Sequence, residues 1–548
     1  MRRFLPILLL IYFLITPCSS EALFFKNKDS NQEADCQATE EQNMEEPPIG
    51  YRVLGDMSIL DKPYPLTKLY FEQIMPFGIE SNHSMQQLGE SSIEQEKLAR
   101  AEKVFKKMLM KNKDSVCAKM GLGYVEIQKR NFQEAKNYFN QILVKDPTYS
   151  SAKMGVVYSC LGNDEKLRAL DELNKIDDKE KKDEVGLTRA QTYYDMEMLS
   201  DSKKALSGVV NKDADTLRYK LKRDDAITIT PSYSFLIQTL AENFKLNSNK
   251  FGINVSKNID NNLTVFSEYN IYVYGSGLLD FGHLYNVTNE LRGGVRGRPK
   301  EKVEFRADFG AKIFEFGDGM LITDSWLKYY FNDKFNLKLG VRRNNVEQSY
   351  LSAVGFPLDG VFTGRVADNK LYLEYDAKLP KNLYSFGRTG VGLMTGQNLD
   401  TNPYAEALVG VGKIIYNNPE NKFIKAVNLD VVSYNASYKE NLLNIPNAAG
   451  EIFGGYFSPS FFTANTVNIK TEGKTKKLRY GLKGFAGCQI SMAPNQTSFV
   501  WSFSPYVAYD LNDHVTFNAA YVYFNYADVQ RNLFMVNAVI RGFKNAKK

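Results

Sequence analysis

Tryptophan, histidine and cysteine are scarce in this chain of 548 residues, at two, three and five copies. The histidines (His83, His283 and His514) are scattered, and no metal-site or nucleophile spacing surrounds them. The expectation is a protein without enzymatic activity, metal or cofactor. "GVGK" at 410–413 lacks the remainder of a phosphate loop, and its glycines suit strand packing. Glu374 and Asp376 form an acidic pair of the kind used in glycoside cleavage, yet Lys370 and Lys378 beside them fit a solvated wall better. The basic residues form no block and the net charge is only +6, which excludes a nucleic-acid partner. Past residue 22 no run reaches the roughly 18 uncharged apolar residues of a membrane-spanning helix.

What is present falls into segments. Residues 1–22 read as a signal peptide: Arg2 and Arg3, an apolar stretch from Phe4 to Ile15, then the small residues Ser20 and Ala22 at a cleavage site. Cys18 leaves a lipidated alternative open, against which Pro17 speaks. Export permits disulfides, but Cys36, Cys117, Cys160 and Cys488 are too few for a framework. Residues 23–88 are polar and proline-punctuated, an irregular lead-in. Over 89–225 the pattern is helical and repeats. "AKMGLGY" at 118–124 returns as "AKMGVVY" at 152–158, and the series Ala101, Ala135, Ala169 and Phe105, Phe139, Leu173 keep the same 34-residue step. That step is the tetratricopeptide period. Cys117 and Cys160 lie within these helices, either as buried thiols or as a pair. Such an array binds other proteins along its concave face, or serves as a spacer.

From 226 to 543 the period changes to two. "KVEFRADFGAKI" at 302–313 places Lys302, Glu304, Arg306, Asp308 and Lys312 on one strand face and Val303, Phe305, Ala307, Phe309, Ala311 and Ile313 on the other. Lys334, Lys338 and Arg342, then Lys370, Tyr372, Glu374, Asp376 and Lys378, then Lys477, Arg479 and Lys483 mark the polar faces of three more strands. Sixteen such runs occur, about 10–15 residues long where soluble strands average about 5–6. Short polar turns alternate with longer connections. The predicted fold class is therefore an α-solenoid followed by a sixteen-stranded antiparallel transmembrane β-barrel, with the apolar phase against lipid and the charged phase lining a wet lumen. On the four strands named, eleven basic residues oppose four acids, which predicts an anion-favouring lining. Tyr272, Tyr274, Tyr521, Tyr523 and Tyr526 suit an interfacial girdle, Tyr372 a sugar-stacking position in the lumen, and Cys488 a small apolar residue on an outward face. Residues 544–548 form a tail.

Two stretches carry a family resemblance. "SYLSAVGFPLDGVFTGRV" at 349–366 and "GGYFSP" (Gly454, Gly455, Tyr456, Phe457, Ser458, Pro459) resemble segments of the cellulose synthesis operon protein C family, the outer-membrane exopolysaccharide exporters. The resemblance implies export of cellulose or a related polysaccharide through a barrel set in outer-membrane lipid. It also implies periplasmic repeats that recruit periplasmic or synthase-complex proteins. Family members carry a longer repeat array. The alternatives are a membrane-anchored scaffold or assembly protein and a general porin. An empty barrel of this size would leak, and the apolar, glycine-bearing stretch 349–366 is the expected gating loop, with Leu351, Phe356, Asp359 and Phe362 as its candidate residues.

Overall fold

The computed structural model describes residues 82–177, 181–240, 244–276, 285–315, 318–358, 361–418, 421, 423–440, 456–492, 496–526 and 529–542. The leader, nearly all of the lead-in, the tail, Cys18, Cys36, His283, Asp359, Gly454 and Gly455 lie outside them, as does the side chain of His83. The chain divides into two compact units, residues 1–155 and 156–548.

The first unit is built from α1 (Asn82–Glu94), α2 (Leu98–Lys111), α3 (Val116–Gln128), α4 (Phe132–Leu143) and the start of α5 (Ser150–Gly162). The helical array begins seven residues before the boundary expected at 89. Met85 and Leu88, three apart and buried, carry too short a periodic signal to stand out from the polar stretch before them. The 34-residue step has a direct packing cause. Phe105 sits against Gly89 and Gly121, and Phe139 against Gly123 and Gly155; a Cβ at any of the four would run into the ring. Ala101 and Ala135 are fully buried where helices cross. Small residues thus let one large ring per repeat fill the gap between helices.

In the second unit α6 (Lys166–Leu173), α7 (Lys182–Asp195), α8 (Leu199–Ala205) and α9 (Lys212–Asp224) precede the sheet. Its strands are β1 (Thr228–Leu240), β2 (Phe244–Ile259), β3 (Leu263–Ser276), β4 (Tyr285–Lys300), β5 (Val303–Phe314), β6 (Gly319–Asn332) and β7 (Phe335–Asn345). After the short helix α10 (Tyr350–Val354) and the three-residue β8 (Phe356–Leu358) come β9 (Val361–Lys378), β10 (Leu383–Gln397), β11 (Leu399–Asn417), β12 (Ala426–Tyr438) and β13 (Phe461–Lys474). The sheet ends with β14 (Leu478–Met492), β15 (Gln496–Asp510), β16 (Val515–Tyr526) and β17 (Val529–Arg541). Consecutive strands pair antiparallel, β7 pairs with β9, and β1 closes on β17 from Thr228↔Arg541 to Leu240↔Val529. Sixteen strands therefore form a closed barrel, with β8 folded back on β9 alone. Its polarity is the reverse of a soluble fold. On β5, Phe309 and Ile313 are 62% and 53% exposed, while Asp308 and Lys312 on the other face are 4% and 0% exposed. An exposed apolar band of this extent is a lipid-facing surface.

The barrel turns complete the helices before it. Neither α6 nor α8 has a capping side chain of its own. The Asp333 carboxylate, in the β6–β7 turn, accepts hydrogen bonds from the Leu167 and Arg168 amides at 2.8 and 3.0 Å, opening α6. The Asn262 side chain, in the β2–β3 turn, accepts from the Ser200 and Asp201 amides at 2.8 and 3.2 Å, opening α8. Its amide also donates to Asp201 at 2.8 Å. Unpaired amides at a helix start are satisfied here by residues from the sheet. Asp333→Ala with Asn262→Ala should lose about 1 kcal/mol per cap. Hydrogen exchange should therefore quicken in the first turns of α6 and α8, with the barrel strands unchanged. Unaltered exchange there would mean that the caps do not hold the helices.

Candidate functional site

The connection between β7 and β9 folds into the barrel. Ser349 caps α10 by accepting from the Ser352 amide at 3.1 Å, and the Ser352 hydroxyl accepts from the Ser349 amide at 3.0 Å. Tyr350, Ala353 and Val354 then pack in one buried cluster with Leu236 of β1, Leu246 of β2, Tyr272 and Tyr274 of β3, Phe314 of β5, and Met320 and Ile322 of β6. The cluster runs round the wall from β6, two strands from β9, to β1, seven strands from it, and takes in Ala367 of β9 itself. The loop therefore spans the lumen near the rim that carries the long connections. Gly355 (φ +71°) and Gly364 (φ +111°) make its return possible: a Cβ on the first would meet Phe362 and the Thr363 carbonyl, on the second the Leu351 carbonyl.

Two buried cations fix this loop. The Lys312 ammonium, fully enclosed, donates to Tyr274 Oη at 2.7 Å, Glu347 Oε1 at 2.8 Å and Asn345 Oδ1 at 3.0 Å. It also lies 4.1 Å from the centre of the Tyr272 ring. Burial disfavours charge on Glu347, but the adjacent Lys312 ammonium and Tyr274 hydroxyl outweigh it, so the carboxyl stays below its ordinary range. Arg365 donates to the Val354 carbonyl at 2.8 Å and to Asp318 at 3.2 Å, with its guanidinium over Phe314 and Phe362. The β12–β13 connection joins them. The Phe457 amide donates to Gln348 Oε1 at 2.6 Å, and Tyr456 packs with Val346, Val366, Met394 and Tyr404. Ser458 is buried beside it.

Of the expected gating residues, Leu351 is buried and Phe362 stacks on Arg365, while Phe356 pairs through its backbone with Thr363. Tyr272 and Tyr274 are not girdle residues: the outward phase at this end of β3 is Ile271 and Val273, and the two tyrosines face inward, against α10. Tyr521 and Tyr523 lie on the opposite phase of β16 from Asn518, and the Tyr526 side chain lies outside the described residues. Tyr372 is buried flat over Gly340 beneath Lys338 and Arg342, so its ring offers no open stacking face. Cys488 is exposed on the outward phase of β14, and Cys117 and Cys160 are buried within helices.

Many of the wall charges are paired. Arg306 meets Asp308 at 2.6 Å, Lys338 meets Glu374 at 2.9 Å, Arg342 meets Asp324 at 3.4 Å, and Lys370 meets Glu406. Asp376 meets Lys328, and Arg479 meets Asp510. Glu304 accepts from the Tyr330 hydroxyl at 2.6 Å. Asp324, Glu406 and Asp510 stand on strands whose alternation is less regular, and they offset the basic excess counted on the four regular ones. Lys483 is exposed on the inward phase of β14. Lys302 and Lys334 lie in turns, and Lys378 reaches Asp164 at 2.6 Å, so these three leave the lining.

Residues 301–505 match the family model described as the cellulose synthase operon protein C C-terminus. Over those residues, from β5 into β15, the barrel is similar to that family. Residues 92–155 match a tetratricopeptide repeat model. The cellulose synthase operon protein C of Komagataeibacter xylinus is 26% identical over 209 residues, which are 38% of this chain and 14% of that protein. Its counterpart in Komagataeibacter sucrofermentans is 26% identical over 127 residues, 23% of this chain and 9% of that protein. The matched stretch thus spans about one-seventh of the first relative. A solved bacterial polysaccharide outer membrane secretin aligns at a TM-score of 0.44 and 13% identity, covering 59% of this chain and 99% of that one.

Glu347, Gln348 and Arg365 were invisible to the sequence reading, since nothing local marks a loop residue as the partner of a distant strand. Removing one member of a buried ion pair costs far more than removing both. Glu347→Gln should therefore raise hydrogen exchange across 346–355 about tenfold, or ~1.4 kcal/mol. Lys312→Met with Glu347→Leu should recover most of the protection. Because the folded carboxyl titrates below its unfolded value, this contribution is complete above the ordinary carboxylate range and is lost as pH falls through the depressed one. Equal exchange in all three proteins at neutral pH would remove the ion pair as the anchor.

Proposed function

We propose that this chain passes a secreted polysaccharide, cellulose or a relative of it, out through the bacterial outer membrane. The repeats stand on the periplasmic side and receive periplasmic or synthase-complex proteins. One observation carries the reading. The two stretches that resemble the exporter family, about a hundred residues apart in sequence, come together: Tyr456 of the second packs with Val366 of the first, and the Phe457 amide donates to Gln348, the residue just before the first. The matched barrel model and the helical array agree with it. A loop held by a few polar contacts suits a channel that must stay closed until a polymer arrives. The helix caps support a periplasmic setting for α6 and α8, since Asp333 and Asn262 lie on the rim of short turns.

Two measurements test this. In whole cells a membrane-impermeant maleimide should label Asp400→Cys, on the rim of long connections, and leave Asn332→Cys and Asp513→Cys shielded; the reverse pattern inverts the orientation. Gln348→Cys with Phe457→Cys, oxidised, should stop secretion of the polymer, and reductant should restore it. A scaffold with an idle barrel secretes equally in both states, and that result would sink the export reading.

A further inference from the structure

The inner wall is chemically divided. On β4 through β11 most inward charges are engaged in ion pairs or tyrosine hydrogen bonds, and Asp308, Lys312, Lys370 and Glu406 are buried in their pairs. The sector β15, β16, β17, β1 and β2 is different. Asn518 of β16 registers with Asn537 of β17, which registers with Ser232 of β1 and then Gly252 of β2, forming one uncharged row. The Asn518 amide donates to Asn537 Oδ1 at 2.6 Å. In the next row Tyr506 registers with Ala520, Ala520 with Met535, and Met535 with Ser234. These polar groups are only half-buried, so the lumen reaches them. The inward cations of the sector are Lys250, which lies by Glu268 and over Tyr272, and Arg531 and Arg541 toward the two ends of β17, the first 5.9 Å from the Phe524 ring and the second donating to Thr516 at 3.2 Å.

The geometry points to this sector as a glycan track: an extended, uncharged sugar chain runs along β15–β17, β1 and β2 and avoids the ion-paired side. The inference rests on the export reading above and adds the path and the wall chemistry. Sugar hydroxyls exchange hydrogen bonds with Asn, Ser and Tyr groups at little net cost. Displacing water from ionised pairs costs much more. A polyanion finds no advantage here, because the cations opposite already hold carboxylates. A chain held by amides and hydroxyls alone is bound weakly at any one point and can slide.

The test places a diazirine-bearing amino acid in the purified full chain, at Ser504 or Asn537 in the sector and at Lys338 or Arg388 on the charged side. Lys338 and Arg388 are themselves partly open, with side chains 22% and 33% exposed. Irradiation with cellohexaose should give sugar adducts by mass spectrometry at Ser504 and Asn537 about tenfold above those at Lys338 and Arg388, a preference of ~1.4 kcal/mol. With the diazirine at Asn537, Asn518→Arg should lower the yield several-fold, while Asn518→Gln keeps it. Equal or reversed yields on the two sides overturn the track and leave export standing. Adducts at no position above those from a polyethylene glycol of matched length overturn the track together with the export reading.

Discussion

Every backbone N–H and C=O of a strand in hydrocarbon has to find a partner on another strand, because lipid offers none. Here β1 meets that demand by pairing with β17 over its whole length, with β2 on its other side. Closure has consequences beyond hydrogen bonding. It turns one phase of every strand outward, where Phe309 and Val391 meet lipid at 62% and 58% exposure. It gathers the other phase around the lumen, where the β7–β9 connection covers part of the wall. An isolated ion in that space would be costly, so the wall residues on β4–β11 are arranged as pairs and short networks.

The same enclosure explains why the β7–β9 connection folds inward. Its apolar residues need cover, and the inner faces of β1, β2, β3, β5 and β6 present a matching apolar patch at one rim. The polar contacts then set position. Lys312 can reach Glu347, Tyr274 and Asn345 together only when the loop lies across the lumen.

At the other rim the barrel lends structure to the helices. α6 and α8 have eight and seven residues and lack capping side chains of their own. Helices of that length are marginal alone. Asp333 and Asn262 supply the missing acceptors, and the Tyr193 hydroxyl donates to Glu301 at 2.8 Å between them. The last repeats and the turns of β2 through β7 therefore form one bonded surface, so a load on these helices is transmitted to the barrel rim.

Much of this was legible in the sequence, for a local reason. Strand alternation and the 34-residue helical step follow from how successive side chains leave the backbone, so Phe105 and Phe139, or Phe309 and Ile313, declare themselves without a structure. The strand total was readable in the same way. The misread aromatics show the limit: on β3, Val273 and Tyr274 both look fit for lipid, and period two alone cannot rank the phases. The pairing of the wall charges was hidden likewise, because Asp324 and Glu406 stand on strands whose alternation is less regular. What the sequence by itself determined was each strand's two faces and each helix's buried stripe. Which lysine met which carboxylate, which turn capped which helix, and that Gln348 met Phe457 were decided only in the tertiary structure. Those contacts join residues brought together by barrel closure, and no local pattern records a partner about a hundred residues away.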